Sequence, residues 1–215
     1  MPRAYYVVMS IAVSCLFSFS PASAEVDVAA SFDKEGLKGF HVSLGEYFNV
    51  PEPEICKIEA RGIGPEDMPV VLFLAAKAGA SPAAIVDFRL DGKSWMNILH
   101  HFKLNPEIFY VPVKVKVHGP PYGKAYGYYK NKPRKEWGTI SLADVDIVNL
   151  VNLRFLTEHY GKEAAEIIDM RARGEHFIAI YSKAKKTKKA TKETPKNKQK
   201  KAKENKGGKS KSKKK

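Results

Sequence analysis

Cysteine is scarce in this sequence, with only Cys15 and Cys56 among 215 residues. Two cysteines cannot build the several crosslinks of a disulfide-rich secreted scaffold. After residue 24 no apolar run is long enough to cross a bilayer, which excludes a polytopic membrane protein. The sequence also lacks the glycine-rich phosphate motifs, the serine-hydrolase motif and the histidine pairs of metalloproteases. We therefore expect neither an enzyme nor a cofactor or metal site.

Acidic residues are scarce at the C-terminal end, where residues 183–215 hold 17 lysines, no arginine and two glutamates. The net charge of this segment is +15, whereas the residues before it sum to −1. Together they give the net charge of +14 of the whole chain. The basicity thus belongs to a tail and not to a folded domain. A segment with so little apolar surface cannot offset the entropy lost on ordering, so we expect a disordered tail.

Lysine without arginine offers point charges and no bidentate fork, which favours polyanion binding without sequence specificity. In amino-acid content the tail resembles the lysine-rich tails of linker histones, which implies unspecific nucleic-acid binding. A solubilising tail with no dedicated partner is the alternative. The candidate polyanion contacts here are Lys185, Lys186, Lys188, Lys189, Lys200, Lys201, Lys213, Lys214 and Lys215.

Residues 1–24 have the order of a secretory signal peptide. A basic start at Arg3 precedes an apolar run over residues 4–19, and Ala22-Ser23-Ala24 is the small-x-small pattern of a cleavage site. We therefore predict cleavage after Ala24 and a periplasmic or secreted mature protein. An uncleaved membrane anchor and lipoprotein processing at Cys15 are the alternatives. Residues 25–39 are expected to form a flexible segment before the folded domain.

Residues 40–182 are predicted to be mainly α-helical, with two to three degenerate repeat units. Segments 55–62, 85–92 and 167–174 align without gaps, and the second and third continue in register at a constant offset of 82. In the second copy Ser81 and Pro82 favour a helix start, and Gly92 favours a left-handed helix end. Each unit is predicted to consist of helices that are separated by glycine-containing turns. Such units bury their apolar faces by packing together.

The alignment also assigns roles to single residues. Cys56 falls opposite apolar residues of the other copies, which predicts a buried free thiol in the core. Arg89 and Arg171 fall opposite each other, which favours helix capping or an ion pair over catalysis. The longest predicted helix spans residues 142–160 with a cap at Ser141. Its Asn149 and Asn152 are interpreted as buried hydrogen-bond partners, with ligand contacts as the alternative.

Residues 105–140, called the arm below, are predicted to be an inserted β-arm and loop. Residues 111–118 alternate like a half-exposed strand, residues 119–127 are rich in glycine and proline, and residues 137–142 supply a return strand. The arm has seven basic and two acidic residues.

Aromatic rings beside cations can stack on bases or sugars while the cations bind phosphate or carboxylate. The alternative is that the tyrosines only pack the arm onto the body. The candidate polyanion contacts of the arm are Lys114, Lys116, Tyr122, Lys124, Tyr126, Tyr128, Tyr129, Lys130, Lys132, Arg134, Lys135 and Trp137.

These observations predict a non-enzymatic exported protein of the cell envelope. Its tail and arm would bind an anionic polymer such as lipopolysaccharide phosphate, acidic polysaccharide or extracellular nucleic acid. A second interpretation is a structural protein that docks a partner protein on its repeat faces. A third is an intracellular chromatin-type protein, which requires that the N-terminus is not a signal.

The first prediction concerns the N-terminus. We expect the protein purified from its native cells to begin at Glu25, because signal peptidase cleaves after small residues such as Ala24. Intact-mass measurement of that protein, combined with cell fractionation, tests it. A mass that retains residues 1–24 would contradict cleavage and favour the anchor or the chromatin-type interpretation.

Overall fold

The computed structural model describes residues 34–117 and 119–188, and this part of the chain is mainly α-helical. Residues 1–33, which include the predicted signal peptide, and residues 189–215 lie outside the described residues. Within the described residues no helix is both long and apolar enough to span a bilayer. The helices are α1 (Lys34–Phe48), α2 (Glu52–Ala60), α3 (Met68–Ala78), α4 (Pro82–Leu90), α5 (Trp95–His101), α6 (Gly123–Asn131), α7 (Asp144–Tyr160), α8 (Ala164–Ala172) and α9 (177–188), with 3-10 turns at Pro106–Phe109 and Arg134–Thr139.

Both predicted boundaries of the folded domain are wrong by several residues. Helix α1 begins at Lys34, inside the segment expected to be flexible, and it is held by the buried side chains of Phe40 and Leu44. Helix α9 continues to residue 188, so residues 183–188 do not belong to a disordered tail. Its Tyr181 and Ala184 are buried in the core, and this apolar face supports a helix despite the lysines.

The centre of the core is the contact between α3 and α7. Every residue from Met68 to Ala75 is buried, as expected for a helix that is apolar on all sides. Helices α1 and α4 also contact α3, and α1, α5 and α8 contact α7. Since α3 and α7 are far apart along the chain, the helices do not stack as successive units, and the predicted architecture of a helical-repeat domain is not what the structure shows.

The local start and stop signals around α4 and α5 are confirmed. Ser81 Oγ accepts a hydrogen bond from the Ala84 N–H at 3.2 Å, and Ser94 Oγ caps α5 in the same way. Gly92, with φ of 76°, takes the left-handed conformation after α4. The predicted cap of α7 is wrong, because Asp146 and not Ser141 binds the helix start, accepting from the Ala143 N–H at 3.0 Å.

Arg89 forms a corner between α4, α5 and α7. Its Nη1 donates to the Lys93 carbonyl at 3.1 Å and to Asp144 Oδ2 at 2.5 Å, and its guanidinium lies 4.4 Å from the ring centre of Trp95. The other oxygen of Asp144 accepts from the Trp95 N–H at 2.8 Å. One carboxylate at the start of α7 therefore binds both the end of α4 and the start of α5.

Arg171 forms a second corner of the same kind at α8 and α9. Its Nη1 donates to the Glu175 carbonyl at 2.7 Å, and its guanidinium lies 4.4 Å from the ring centre of Phe177. The Phe177 N–H donates to Glu66 Oε1 at 2.9 Å, just before α3 begins. Asn149 accepts from Arg171 at 3.2 Å. The predicted ion-pair role is confirmed for Arg89, whereas Arg171 binds a backbone carbonyl and the side chain of Asn149.

The two asparagines of α7 are buried, as predicted. Asn152 Nδ2 donates to the carbonyls of Glu66 at 2.8 Å and Val148 at 2.9 Å, while Asn149 binds the second corner. Their hydrogen bonds lie inside the protein, which supports the structural interpretation.

The prediction of a buried Cys56 is wrong, because this residue is exposed. Helix α2 has only nine residues and packs through a narrow stripe in which Ile55 and Ile58 are buried. The alignment of one residue with apolar residues in other segments does not determine which side of such a short helix faces the core. Cys56 lies just off the stripe, and its Sγ is 3.9 Å from Nδ1 of His41.

The predicted β-arm is also wrong. Residues 111–117 form no strand, and the segment expected to be a loop and return strand contains α6 and the turn at Arg134–Thr139. Tyr122, Tyr126 and Tyr129 are spaced at i, i+4 and i+7, which is the period of a helix face. The density of glycine and proline hid this signal. With α6 in place, the alternating valines have no partner strand.

The second prediction tests the first corner. Asp144→Ala leaves the Trp95 N–H and the Arg89 guanidinium without their acceptor, and we expect a loss of about 1–3 kcal/mol in the free energy of unfolding. Asp169→Ala is the matched control, because its exposed ion pair with Arg173 contributes at most about 0.5 kcal/mol. Urea unfolding of both variants measures the difference, and equal losses would contradict the role given to the corner.

Candidate polyanion-binding site

The tyrosines of α6 attach the arm to the helical body. Tyr122, Tyr126 and Tyr129 are at most 9% exposed. Their hydroxyls donate to backbone carbonyls, from Tyr122 to Asn149 at 3.2 Å, from Tyr126 to Val111 at 2.7 Å and from Tyr129 to Pro106 at 2.8 Å. These three rings are therefore not available for stacking on a ligand, which corrects that part of the prediction. Packing of the arm onto the body is what the structure shows for them.

Burial also keeps these tyrosines neutral. Loss of water around the hydroxyls raises the pKa of Tyr122, Tyr126 and Tyr129 well above the usual range, since the phenolate is poorly solvated there. Each hydroxyl therefore keeps its proton and remains a hydrogen-bond donor. The tyrosines act as structural groups and carry no charge toward a ligand.

Trp137 is half-buried and bound to α6. Its Nε1 donates to the carbonyls of Tyr129 and Lys132, both at 3.1 Å. The ring centres of Tyr110 and Tyr129 lie 4.7 and 4.9 Å from that of Trp137, and the Arg134 guanidinium lies 5.5 Å from it. Trp137 therefore holds the turn at Arg134–Thr139 onto α6. The last candidate aromatic residue, Tyr128, is half-buried on the same helix.

The basic side chains of the arm face solvent. Of the seven, only Lys132 is half-buried, and its Nζ donates to Thr139 Oγ1 at 3.1 Å. Within the described residues none of the seven forms an ion pair with a carboxylate. Their positive charges are thus uncompensated by neighbours. The exposed members are Lys114, Lys116, Lys124, Lys130, Arg134 and Lys135.

The predicted tail contacts divide into two groups. Lys185 and Lys186 are exposed on α9, whereas Lys188 is half-buried, donates to the His159 carbonyl at 2.6 Å and lies 5.0 Å from the ring centre of Tyr160. Lys188 therefore helps to fasten α9 to α7. The remaining candidates lie outside the described residues, namely Lys189, Lys200, Lys201, Lys213, Lys214 and Lys215.

A cleft of about 550 Å³ opens between the extended segment 110–117 and helix α6. Valine side chains and aromatic rings form its walls, and Lys116 and Lys130 contribute cationic groups. Tyr110 and Asn131 also line this cleft. Tyr110 belongs to the aromatic residues of the arm that the sequence interleaves with lysines, whereas nothing in the sequence marks Asn131. Only the turn of the chain into α6 brings them together.

Comparison of this chain with protein-family models, curated proteins and solved structures finds no match. Among residues 34–117 and 119–188, no group of three histidine, cysteine or acidic side chains is placed to hold a metal ion. The function is therefore argued from the arm, its charges and the cleft.

The third prediction separates the structural tyrosines from the surface ones. Tyr126→Phe leaves the Val111 carbonyl without its donor in a buried place, and we expect the free energy of unfolding to fall by about 1–2 kcal/mol. Tyr128→Phe is the control on the same helix, with an expected change below about 0.5 kcal/mol. Urea unfolding followed by circular dichroism measures both. A Tyr128→Phe loss as large as that of Tyr126→Phe would contradict this division.

Proposed function

We propose that this protein is an exported, non-enzymatic envelope protein that binds anionic polymers through the arm and the lysine-rich tail. The observation that carries the proposal is the uncompensated positive charge of the arm. Six of its seven basic side chains are exposed, and none is paired with a carboxylate in the described part of the chain. Such a surface attracts polyanions and releases their counterions on binding.

The rigid attachment of the arm supports this function. In addition to the three buried tyrosines, Arg154 of α7 donates through Nη2 to the carbonyls of Ile108 at 3.0 Å and Tyr110 at 2.8 Å. A cationic surface that is already ordered loses less conformational entropy when it binds. The arm therefore suits a fixed binding surface better than a loop that must fold onto its ligand.

The tail adds charge to this surface. Residues 189–215 contain 13 lysines and two acids, and they follow directly after α9, whose Lys185 and Lys186 are exposed. Two linked cationic segments on one chain raise the apparent affinity for a long polyanion, because the second contact is intramolecular. Cleavage of residues 1–24 and export remain part of the proposal.

Among anionic polymers, the arm favours acidic polysaccharide or a phosphate-bearing envelope surface over single-stranded nucleic acid. Base stacking needs an open aromatic face, but three tyrosine rings are buried and the Trp137 ring lies among Tyr110, Tyr129 and Arg134. Lysines outnumber the single arginine of the arm, which suits point-charge contacts to carboxylate or phosphate oxygens and limits bidentate contacts to base edges. Charge without base recognition is what these residues offer.

We also infer that the α4–α5 and α8–α9 pairs are diverged copies of one unit. Helices α4 and α8 both have nine residues, the two following glycines both have positive φ, and Arg89 and Arg171 make the same bond to the carbonyl four residues later. The offset of 82 relates all three features. This inference concerns the origin of the fold, and the proposed binding function does not depend on it.

The fourth prediction tests the arm. Replacing Lys114, Lys124 and Lys135 together by Gln should weaken binding to polygalacturonate and to lipopolysaccharide. The slope of log K against log salt should fall by about one unit for each charge contact removed. Biolayer interferometry between about 50 and 200 mM salt measures both quantities.

The matched control removes three exposed lysines that lie away from the arm, Lys57, Lys77 and Lys93. It changes the net charge equally and should retain most of the affinity. Truncation after Lys188 isolates the contribution of the tail without removing residues of α9. Binding that is independent of salt, or equal losses in the two triple variants, would contradict the proposed function.

A further inference from the structure

The cleft between the extended segment 110–117 and α6 has unused polar groups at its walls. The hydroxyls of Tyr126 and Tyr129 are bound to backbone carbonyls. Tyr110, which is half-buried, and Asn131, which is exposed, make no side-chain hydrogen bond within the described residues. These two side chains are therefore free to bind a ligand that enters the cleft.

The charge of the cleft has one sign. Lys116 and Lys130 line it, both are exposed, and neither is paired with a carboxylate of the described residues. No aspartate or glutamate is among the lining residues. A ligand that carries a carboxylate would meet two ammonium groups and no opposing charge, and charge-assisted hydrogen bonds of this kind are among the strong ones.

The apolar walls select the kind of ring that fits. Tyr110, Tyr129 and Trp137 contact one another at ring-centre distances of 4.7 to 5.1 Å, with interplanar angles of 50° to 70°. The side chains of Val113, Val115 and Val117 line the cleft beside these rings, so much of its wall is aliphatic. A saturated ring with C–H groups and hydroxyls suits such walls better than a flat base, which needs an open aromatic face.

We propose that this cleft binds one uronic-acid unit of an acidic polysaccharide. Lys116 and Lys130 bind the carboxylate, while Tyr110 and Asn131 hydrogen-bond to ring hydroxyls. The volume of about 550 Å³ lies in the range of small-molecule sites. This inference deepens the proposed function and rests on it, since it names the polymer and the residues that recognise its repeating unit.

The same acidic sugar can come from a polymer or from the free monosaccharide. Calorimetric titration of the full chain with galacturonic acid, with its trimer and with polygalacturonate distinguishes these sources. We expect the trimer and the polymer to bind, with the trimer at least about tenfold tighter than a neutral galactose trimer, because the neutral sugar leaves the two lysines without a partner. Tighter binding of the monosaccharide than of the trimer would identify a receptor for the free sugar and overturn the polymer assignment.

Matched variants locate the binding within the cleft. Lys116→Gln with Lys130→Gln should weaken trimer binding about tenfold or more, whereas Lys57→Gln with Lys93→Gln removes equal charge away from the arm and should change it less than about threefold. Tyr110→Phe should also weaken the trimer, and Tyr128→Phe should not. Equal effects of the two lysine pairs, or competition by inorganic phosphate at equal concentration, would overturn the inference.

Failure of this inference is distinguishable from failure of the proposed function. If the cleft variants bind the trimer as the unchanged protein does, while salt-dependent polymer binding still requires Lys114, Lys124 and Lys135, the cleft is not the sugar site but the arm still binds polyanions. If no anionic polymer binds at low salt, both proposals are wrong.

Discussion

The bond between Arg89 and the carboxylate of Asp144 connects three helices around the apolar core. It joins the end of α4 to the start of α7, and the same carboxylate binds the first N–H of α5. Arg171 and Glu66 make the reciprocal corner around α8, α9 and the approach to α3. Each half of the body is therefore bonded to groups from the other half.

The arm depends on this body for its shape. Helix α7 supplies Arg154 to two carbonyls of the extended segment and the Asn149 carbonyl to Tyr122. With the tyrosines directed inward, the lysines of the same segment are left on the outside. The tyrosines of the arm thus pack against the body, while its lysines place their charge at the surface. The cleft is lined by residues of both types. The exposed cationic surface is a consequence of how the arm is attached.

Most local features of the fold were predictable from sequence. The helix ends at Ser81, Ser94 and Gly92 lie where they were predicted, because capping depends on neighbours within four residues. The roles of Arg89 and Arg171 were predictable from their shared alignment position. The structure of the arm was not predictable in this way, because alternating valines favour a strand only if a partner strand exists. The spacing of Tyr122, Tyr126 and Tyr129 was the stronger signal and indicated a helix, but the nearby glycine and proline residues obscured it.

The sequence by itself determined that the chain folds into helices, that its positive charge is concentrated in the arm and the tail, and that the two arginines make local structural contacts. Only the tertiary structure decided which aromatic rings are buried, that Cys56 is exposed, and that Tyr110, Asn131, Lys116 and Lys130 line one cleft. The physical reason is the range of the interactions. Helix propensity and capping act between residues close in sequence, whereas burial and cleft formation depend on segments that meet only after α7 has packed against the arm.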